Sequence, residues 1–400
     1  MNPGNCKQEN ETRSGCGFGN VSKYAVLTPN DPELKKGHLI FDASFESGNL
    51  GRVEALSEFE YDLYIRPDTC NPKTRNWFYF SIENVRPQQV LPKYIDYFYS
   101  SILQSVARFI VMECLLLLCQ QADHIVIVTL IRCRIPRKNV FYYRSPEHEN
   151  NYILSFAICF DREDDIYYFC YCYPYTYTQL QRYLKRISQT HSLVVKRELL
   201  GMSLGLRRLD LLTITDPQNA NLFGLPKKRI VFVTARVHPG ETPSSYVCQG
   251  LIDFLTSSHV IAKQLRLHLV FMIVPMLNPD GVFFGNYRSS LLGFDLNRHW
   301  QEPLPVAQPT IHSVKNLLAS LDKFDSTNLD FFVDIHAHST LTNGFMYGNM
   351  HEDEERNERE SLLPHLLSRC AEDFSLSQTD FNNHSMKAGT GRRLVALRFA

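Results

Sequence analysis

A histidine and a glutamate three residues apart, in His238-Pro239-Gly240-Glu241, follow directly on a short apolar run, Ile230 to Ala235. His336 follows another such run, Leu329 to Ile335, within Asp334-Ile335-His336-Ala337-His338. A loop at the carboxyl end of a buried strand points its side chains into the crevice where α/β sheets bind ligands. Two imidazole nitrogens and one carboxylate gathered there make a catalytic zinc site, with a fourth position left for water. An isolated histidine is more often a satisfied loop or core residue. A His-x-x-Glu at one strand end with a His at another points instead to one metal ion per chain, held by His238, Glu241 and His336.

Ligands at strand ends require strands to carry them. Ile230 to Ala235, His268 to Val274 and Leu329 to Ile335 are apolar enough for burial on both faces. Ser244 to Leu255 and Thr310 to Leu321 place apolar residues at helical spacing, the first opened by Thr242-Pro243-Ser244. Strand–helix–strand order predicts an α/β domain over residues 176–400, with a mainly parallel sheet and flanking helices.

The earlier half reads differently. Phe59, Tyr61, Leu63 and Ile65 recur with period two, and Asn76 to Glu83, Val140 to Tyr143, Tyr152 to Phe160 and Ile166 to Tyr173 are short aromatic or β-branched runs. Charged turns separate several of them, which predicts a small antiparallel β-sandwich over residues 20–175. Met1 to Gly19 is polar and reads as a disordered lead-in without a secretory signal.

Composition narrows the class. With 44% hydrophobic and 21% charged residues the chain reads as globular, and Lys+Arg (42) balance Asp+Glu (42). That balance points to no nucleic acid and no membrane surface, so any preference for a charged substrate must be local. The 11 cysteines are odd in number and show no paired Cys-x-x-Cys, which favours reduced thiols in the cytosol. Residues 91–136 form an atypical apolar insert, but Arg108, Glu113 and the Gln120 to His124 run break it into pieces too short to span a bilayer.

Further motifs lie between the metal ligands. Asn278-Pro279-Asp280-Gly281, Asn286-Tyr287-Arg288 and Asp295-Leu296-Asn297-Arg298-His299-Trp300 separate the His-Pro-Gly-Glu and Ile-His-Ala-His segments. This is the order found in the M14 metallocarboxypeptidases. The chain most resembles their cytosolic carboxypeptidase branch, the tubulin deglutamylases, and within it the short members. Gly37 to Asp42, Phe59 to Asp62 and Tyr173 to Thr178 are similar to that branch's N-terminal sandwich and its junction.

The resemblance implies roles. His238, Glu241 and His336 would bind Zn2+; Asp295, otherwise readable as a turn or helix cap, would accept a hydrogen bond from the first histidine and fix its tautomer. Asn297 and Arg298 would grip the substrate's terminal carboxylate, a task suited to a planar guanidinium fork. Arg288, by itself an ordinary surface arginine, would stabilise the oxyanion at the scissile carbonyl. Lys387, Arg392 and Arg393 lie where the family's specificity loop begins, and one of the two arginines is expected to pair with a glutamate side chain. A cytosolic monomer acting on glutamylated protein, tubulin first, at microtubule-associated structures is the implied setting.

Two segments depart from the family. Its general-base Glu sits on a late strand beyond the Gly-Thr-Gly-Arg-Arg stretch, whereas Leu394 to Ala400 contains no carboxylate, so the general base is expected to be absent and the catalytic domain incomplete. Residues 91–136 match neither the strands nor the basic loop of the family. An alternative reading is therefore a catalytically silent form that retains only zinc or tubulin binding. An aspartoacylase-type zinc amidohydrolase shares the His-x-x-Glu and Asn-Arg motifs, and the N-terminal sandwich weighs against it.

Overall fold

The computed structural model describes residues 19–27, 33–57, 60–86, 90–97, 115–119, 130–148, 150–163, 165–220, 228–323 and 326–398. The lead-in expected over 1–19, apart from Gly19, lies outside the described residues, as do 98–114 and 120–129 of the apolar insert and the final two positions. Contacts divide the chain into two compact units. One comprises Met1–Arg66, Asn76–Phe98 and Glu113–Tyr171; the other comprises Pro67–Arg75, Tyr99–Met112 and Cys172–Ala400.

The first unit is built from two sheets. The strands are β1 (Tyr24–Ala25), β2 (Ile40–Asp42), β3 (Arg52–Ala55), β4 (Tyr61–Tyr64), β5 (Tyr79–Glu83), β6 (Val90–Tyr97), β7 (Leu115–Cys119), β8 (Leu130–Arg134), β9 (Val140–Ser145), β10 (Asn151–Cys159) and β11 (Ile166–Cys170). One sheet runs β1-β2-β5-β11-β7-β8, the other β3-β4-β6-β10-β9. Alternate residues of facing strands fill the space between: Phe41, Leu63, Phe80, Phe156 and Phe169 are buried, and the Phe80 and Phe169 rings stack at 5.3 Å.

Two features correct the sequence reading of this unit. Pairing is antiparallel except between β4 and β6, which run parallel. The apolar insert is partly regular: β6, β7 and β8 fall within or beside residues 91–136 and pair with β4, β10 and β11. Their residues show no clear alternation because partners distant in sequence, rather than local period, place them in the sheets.

The second unit carries the metal-binding motifs. Helix α1 (Tyr177–Thr190) starts where Thr176 Oγ1 accepts the Gln179 N–H at 3.1 Å, and it buries Leu180, Tyr183, Leu184 and Ile187 along one stripe. Then follow β12 (Val195–Met202), β13 (Arg208–Ile214), α2 (Pro217–Ala220), β14 (Lys228–Ala235), α3 (Thr242–Thr256), α4 (Val260–His268), β15 (Leu269–Val274), α5 (Pro279–Phe283), α6 (Pro309–Lys323) and β16 (Thr327–Ile335). The sheet order is β12-β13-β15-β14-β16. Strand β14 is parallel to both β15 and β16, as the apolar runs predict, while β12 and β13 extend the sheet antiparallel, making it mixed. A short parallel pair, β17 (Tyr347–Asn349) and β18 (Asp380–Asn382), brackets α7 (Glu354–Cys370), and α8 (Gly391–Arg398) follows.

Period-two alternation along β14 divides the core. Ile230 and Phe232 face a cluster with Trp300, Ile311, Val314 and Leu318, whereas Val233 and Ala235 face Leu184, Cys248, Ile252 and Ile273. Among the described residues Cys70, Cys159, Cys170, Cys172, Cys248 and Cys370 are free thiols. Phe232 is fully buried at the centre of the first cluster and lies nearly parallel to Phe332. Phe232→Ala is expected to destabilise the chain by about 3–5 kcal/mol, read as a lower denaturant midpoint for this unit.

Candidate metal centre

Strands β14 and β16 end side by side, with Ala235 paired to Ile335, so the loops that leave them emerge at one edge. The next residue after β14, Arg236, turns the chain through a left-handed conformation, φ 57°. Such a backbone costs a non-glycine residue energy and persists only where the surroundings hold it. Here the buried guanidinium does so, donating from Nε to Pro239 O at 2.8 Å and from Nη1 to Ser245 Oγ at 2.8 Å and Tyr175 O at 3.2 Å. Burial lowers its pKa to about 10, so it keeps its charge at neutral pH. Gly240 completes the turn: its N–H donates to Tyr287 O at 2.6 Å, and a Cβ would lie 2.3 Å from the Tyr287 ring.

Glu241 stands at the N-terminus of α3 but spends its carboxylate elsewhere. Oε1 lies 2.7 Å from His238 Nδ1 and Oε2 lies 2.9 Å from His336 Nδ1, with the Ala337 N–H donating to Oε2 at 3.1 Å. Burial works to raise the Glu241 carboxyl, but His238 and His336 outweigh it and hold it well below the ordinary range. The far nitrogens of both rings meet carboxylates: His238 Nε2 is 3.0 Å from Asp295 Oδ1 and His336 Nε2 is 2.8 Å from Asp334 Oδ2. A neutral imidazole that donates its Nε2 hydrogen to a carboxylate presents the Nδ1 lone pair on the other side. The donor atoms of His238, Glu241 and His336 all lie within 4.8 Å of one another, and the set of two imidazoles and one carboxylate fits a catalytic zinc ion.

The residues around this centre are joined to it. Asp295 divides its oxygens, giving Oδ1 to His238 and to the Asn297 N–H, and Oδ2 to Arg288 Nε at 2.9 Å and Nη2 at 2.8 Å. Burial opposes ionisation of Asp295, yet His238, Arg288 and Arg298 keep its pKa below the usual carboxylate range. Asn297 Nδ2 lies 3.2 Å from His336 Nε2, and its Oδ1 accepts the Gly391 N–H at 3.3 Å. Arg298 bonds Asn297 O at 2.9 Å through Nη1 and keeps an exposed side chain at the same edge.

The residues expected to read a glutamate side chain are placed differently. Arg392 donates to Gly348 O and to Asn382 Oδ1, bonding to both strands of the β17–β18 pair, and Arg393 donates to Asn383 Oδ1. Both guanidiniums thus have partners within the fold. Lys387 instead shares the field of the site: burial first, then Arg298, Arg288 and Arg392, lowers its pKa. Its Nζ lies 6.0 Å from the Tyr347 ring centroid.

Sequence reasoning did not assign Asp334 or Arg236. For Asp334 a signal existed: positions i and i+2 at a strand end share one face, which puts Asp334 beside His336, and Thr234 Oγ1 on the neighbouring strand fixes its other oxygen at 2.8 Å. For Arg236 there was none, because its acceptors are backbone and hydroxyl oxygens scattered from residue 175 to residue 245.

Comparison with known proteins agrees with this arrangement. A family model described as zinc carboxypeptidase matches residues 180–391, and one described as cytosolic carboxypeptidase N-terminal domain matches residues 41–100. Cytosolic carboxypeptidase 6 of Mus musculus is 55% identical over 381 residues, covering 94% of this chain and 68% of the mouse protein. The Caenorhabditis elegans protein of that name is 44% identical, covering 94% and 78%. The crystal structure of a metallo-carboxypeptidase from Burkholderia cenocepacia superposes with a TM-score of 0.73 over 90% of this chain and 87% of that one, at 22% identity, and so shares the fold. Among the described residues no helix is long and apolar enough to cross a membrane. The chain belongs to the M14 zinc carboxypeptidases, in their cytosolic carboxypeptidase branch.

Proposed function

We propose that this chain is a cytosolic zinc carboxypeptidase that removes glutamate from protein C-termini or polyglutamate side chains, with glutamylated tubulin as its substrate. The observation that carries the reading is the convergence of His238 Nδ1 and His336 Nδ1 on the two oxygens of Glu241. Bound there, zinc supplies Lewis-acid polarisation and a lowered pKa for water. The protein's own residues do the rest. Asp295 and Asp334 hold the two imidazoles in the ligating tautomer. Arg288 and Arg298 stand beside the centre as cations for the carboxylate and the developing oxyanion of a chain end.

Support for a glutamate substrate comes from local charge in a chain with no net charge. Burial first, then Arg298, Arg288 and Arg392, disfavours protonation of Lys387, and an anionic side chain entering there offsets the repulsion among these cations. Lys387 therefore joins Arg392 and Arg393 as a proposed contact for the glutamate side chain. A second reading, zinc or tubulin binding without turnover, shares the same three candidate ligands and differs only in whether product is released.

One zinc per chain is expected, and His336→Ala should abolish it. Asp334→Asn and Asp295→Asn should each weaken zinc binding about 10–100-fold, read by chelator competition. Lys387→Ala should cost glutamate-ended peptides about 1.5–3 kcal/mol relative to leucine-ended ones; equal losses on both would exclude this lysine as the selector. Glutamate release from glutamylated tubulin by the zinc-loaded chain supports the enzyme, whereas full zinc occupancy without release supports the silent form.

A further inference from the structure

The loop that carries Arg288 is held by a carboxylate from far earlier in the chain. Asp68 lies in Pro67–Arg75, within the same compact unit as the metal centre, and is buried. Its Oδ1 accepts the Tyr287 N–H at 2.7 Å, and its Oδ2 accepts those of Arg288 and Ser289, both at 2.8 Å. Neighbouring groups repeat the attachment. Thr69 N donates to Asn286 Oδ1 at 3.0 Å, Asn286 Nδ2 returns to Thr69 Oγ1 at 2.8 Å, and Asn71 Nδ2 donates to Ser289 Oγ at 2.9 Å.

What this loop touches gives the contact its meaning. Tyr287 O receives the Gly240 N–H between the ligands His238 and Glu241. Arg288 directs its guanidinium to Asp295, whose other oxygen faces His238 Nε2. Two routes of hydrogen bonds therefore run from Asp68 to His238, one through backbone and one through side chains. Three consecutive backbone N–H groups around one anion also fix the peptide planes from which Arg288 projects.

We propose that Asp68 is a positioning residue of the metal centre, which sets the Arg288 guanidinium and the first histidine ligand by binding the Tyr287–Ser289 backbone. The inference rests on the zinc-site reading above. It places a determinant of metal affinity in the segment Pro67–Arg75, more distant in sequence than any ligand.

Zinc affinity of the full chain, measured by chelator competition, tests it. Asp68→Asn keeps the size but turns an amide toward backbone donors, and zinc binding should weaken about 10–100-fold, as for other residues that orient ligands. Asp210→Asn is the control: it removes a buried carboxylate paired with Arg197 and Arg208, away from the metal ligands, and should lower stability while leaving zinc affinity unchanged. Unchanged zinc affinity in Asp68→Asn overturns the inference, as does an equal loss in both variants. If Asp68→Asn does not fold, hydrogen exchange of the wild-type chain decides: slow exchange at the Tyr287, Arg288 and Ser289 amides supports the contact, and exchange at the rate of an open loop overturns it. A wild-type chain that binds no zinc overturns the zinc site itself, an outcome distinct from equal binding by wild type and variant.

Discussion

Everything at this site depends on two imidazoles being made to present the same nitrogen to one carboxylate. A histidine ring is free to flip and to exchange tautomers unless something holds its other side. In this fold the far side of each ring meets a carboxylate, Asp295 for His238 and Asp334 for His336. Those carboxylates are in turn held, Asp295 by the fork of Arg288 and Asp334 by Thr234. The sheet supplies the rest, since β14 and β16 end in register and release both ligand loops at one edge. A ligand set is thus the innermost ring of a larger bonded structure.

The same layers sort the charges. Carboxylates surround the two imidazoles and raise the pKa of His336 well above its ordinary value against the effect of burial. Cations gather beside them: Arg288, Arg298 and Lys387. A group of carboxylates and imidazoles therefore adjoins a group of cations, although the chain as a whole carries no net charge. Arg392, which looks equivalent to these cations in sequence, serves instead to bond both strands of the β17–β18 pair.

The legible parts of the sequence were those whose pattern is local. Buried parallel strands read as apolar runs, so β14, β15 and β16 were placed within a few residues, and the ligands at their ends followed. Strands β12 and β13 were not foreseen, because charged residues such as Lys196, Arg197, Glu198 and Asp210 interrupt them. Asp210 is nonetheless buried, which is tolerable only because Arg197, Arg208 and Gln181 surround it. Strand β6 was hidden for a related reason: a strand with partners on both sides takes its place from them. The candidate metal ligands and Asp295 are legible as motifs, whereas Asp68 and Arg236 act on backbone atoms and leave no pairwise signal in a sequence.

Arg236 also ties the ligand loop to a distant part of the same unit. The left-handed turn that aims His238 and Glu241 is held by oxygen acceptors from Tyr175, Pro239 and Ser245, so one of its supports comes from far earlier in the chain. The full set of supports needs both the start of α3 and the segment preceding α1 in place beside Arg236. The aim of His238 and Glu241 is thus a property of the folded unit rather than of the loop's own sequence.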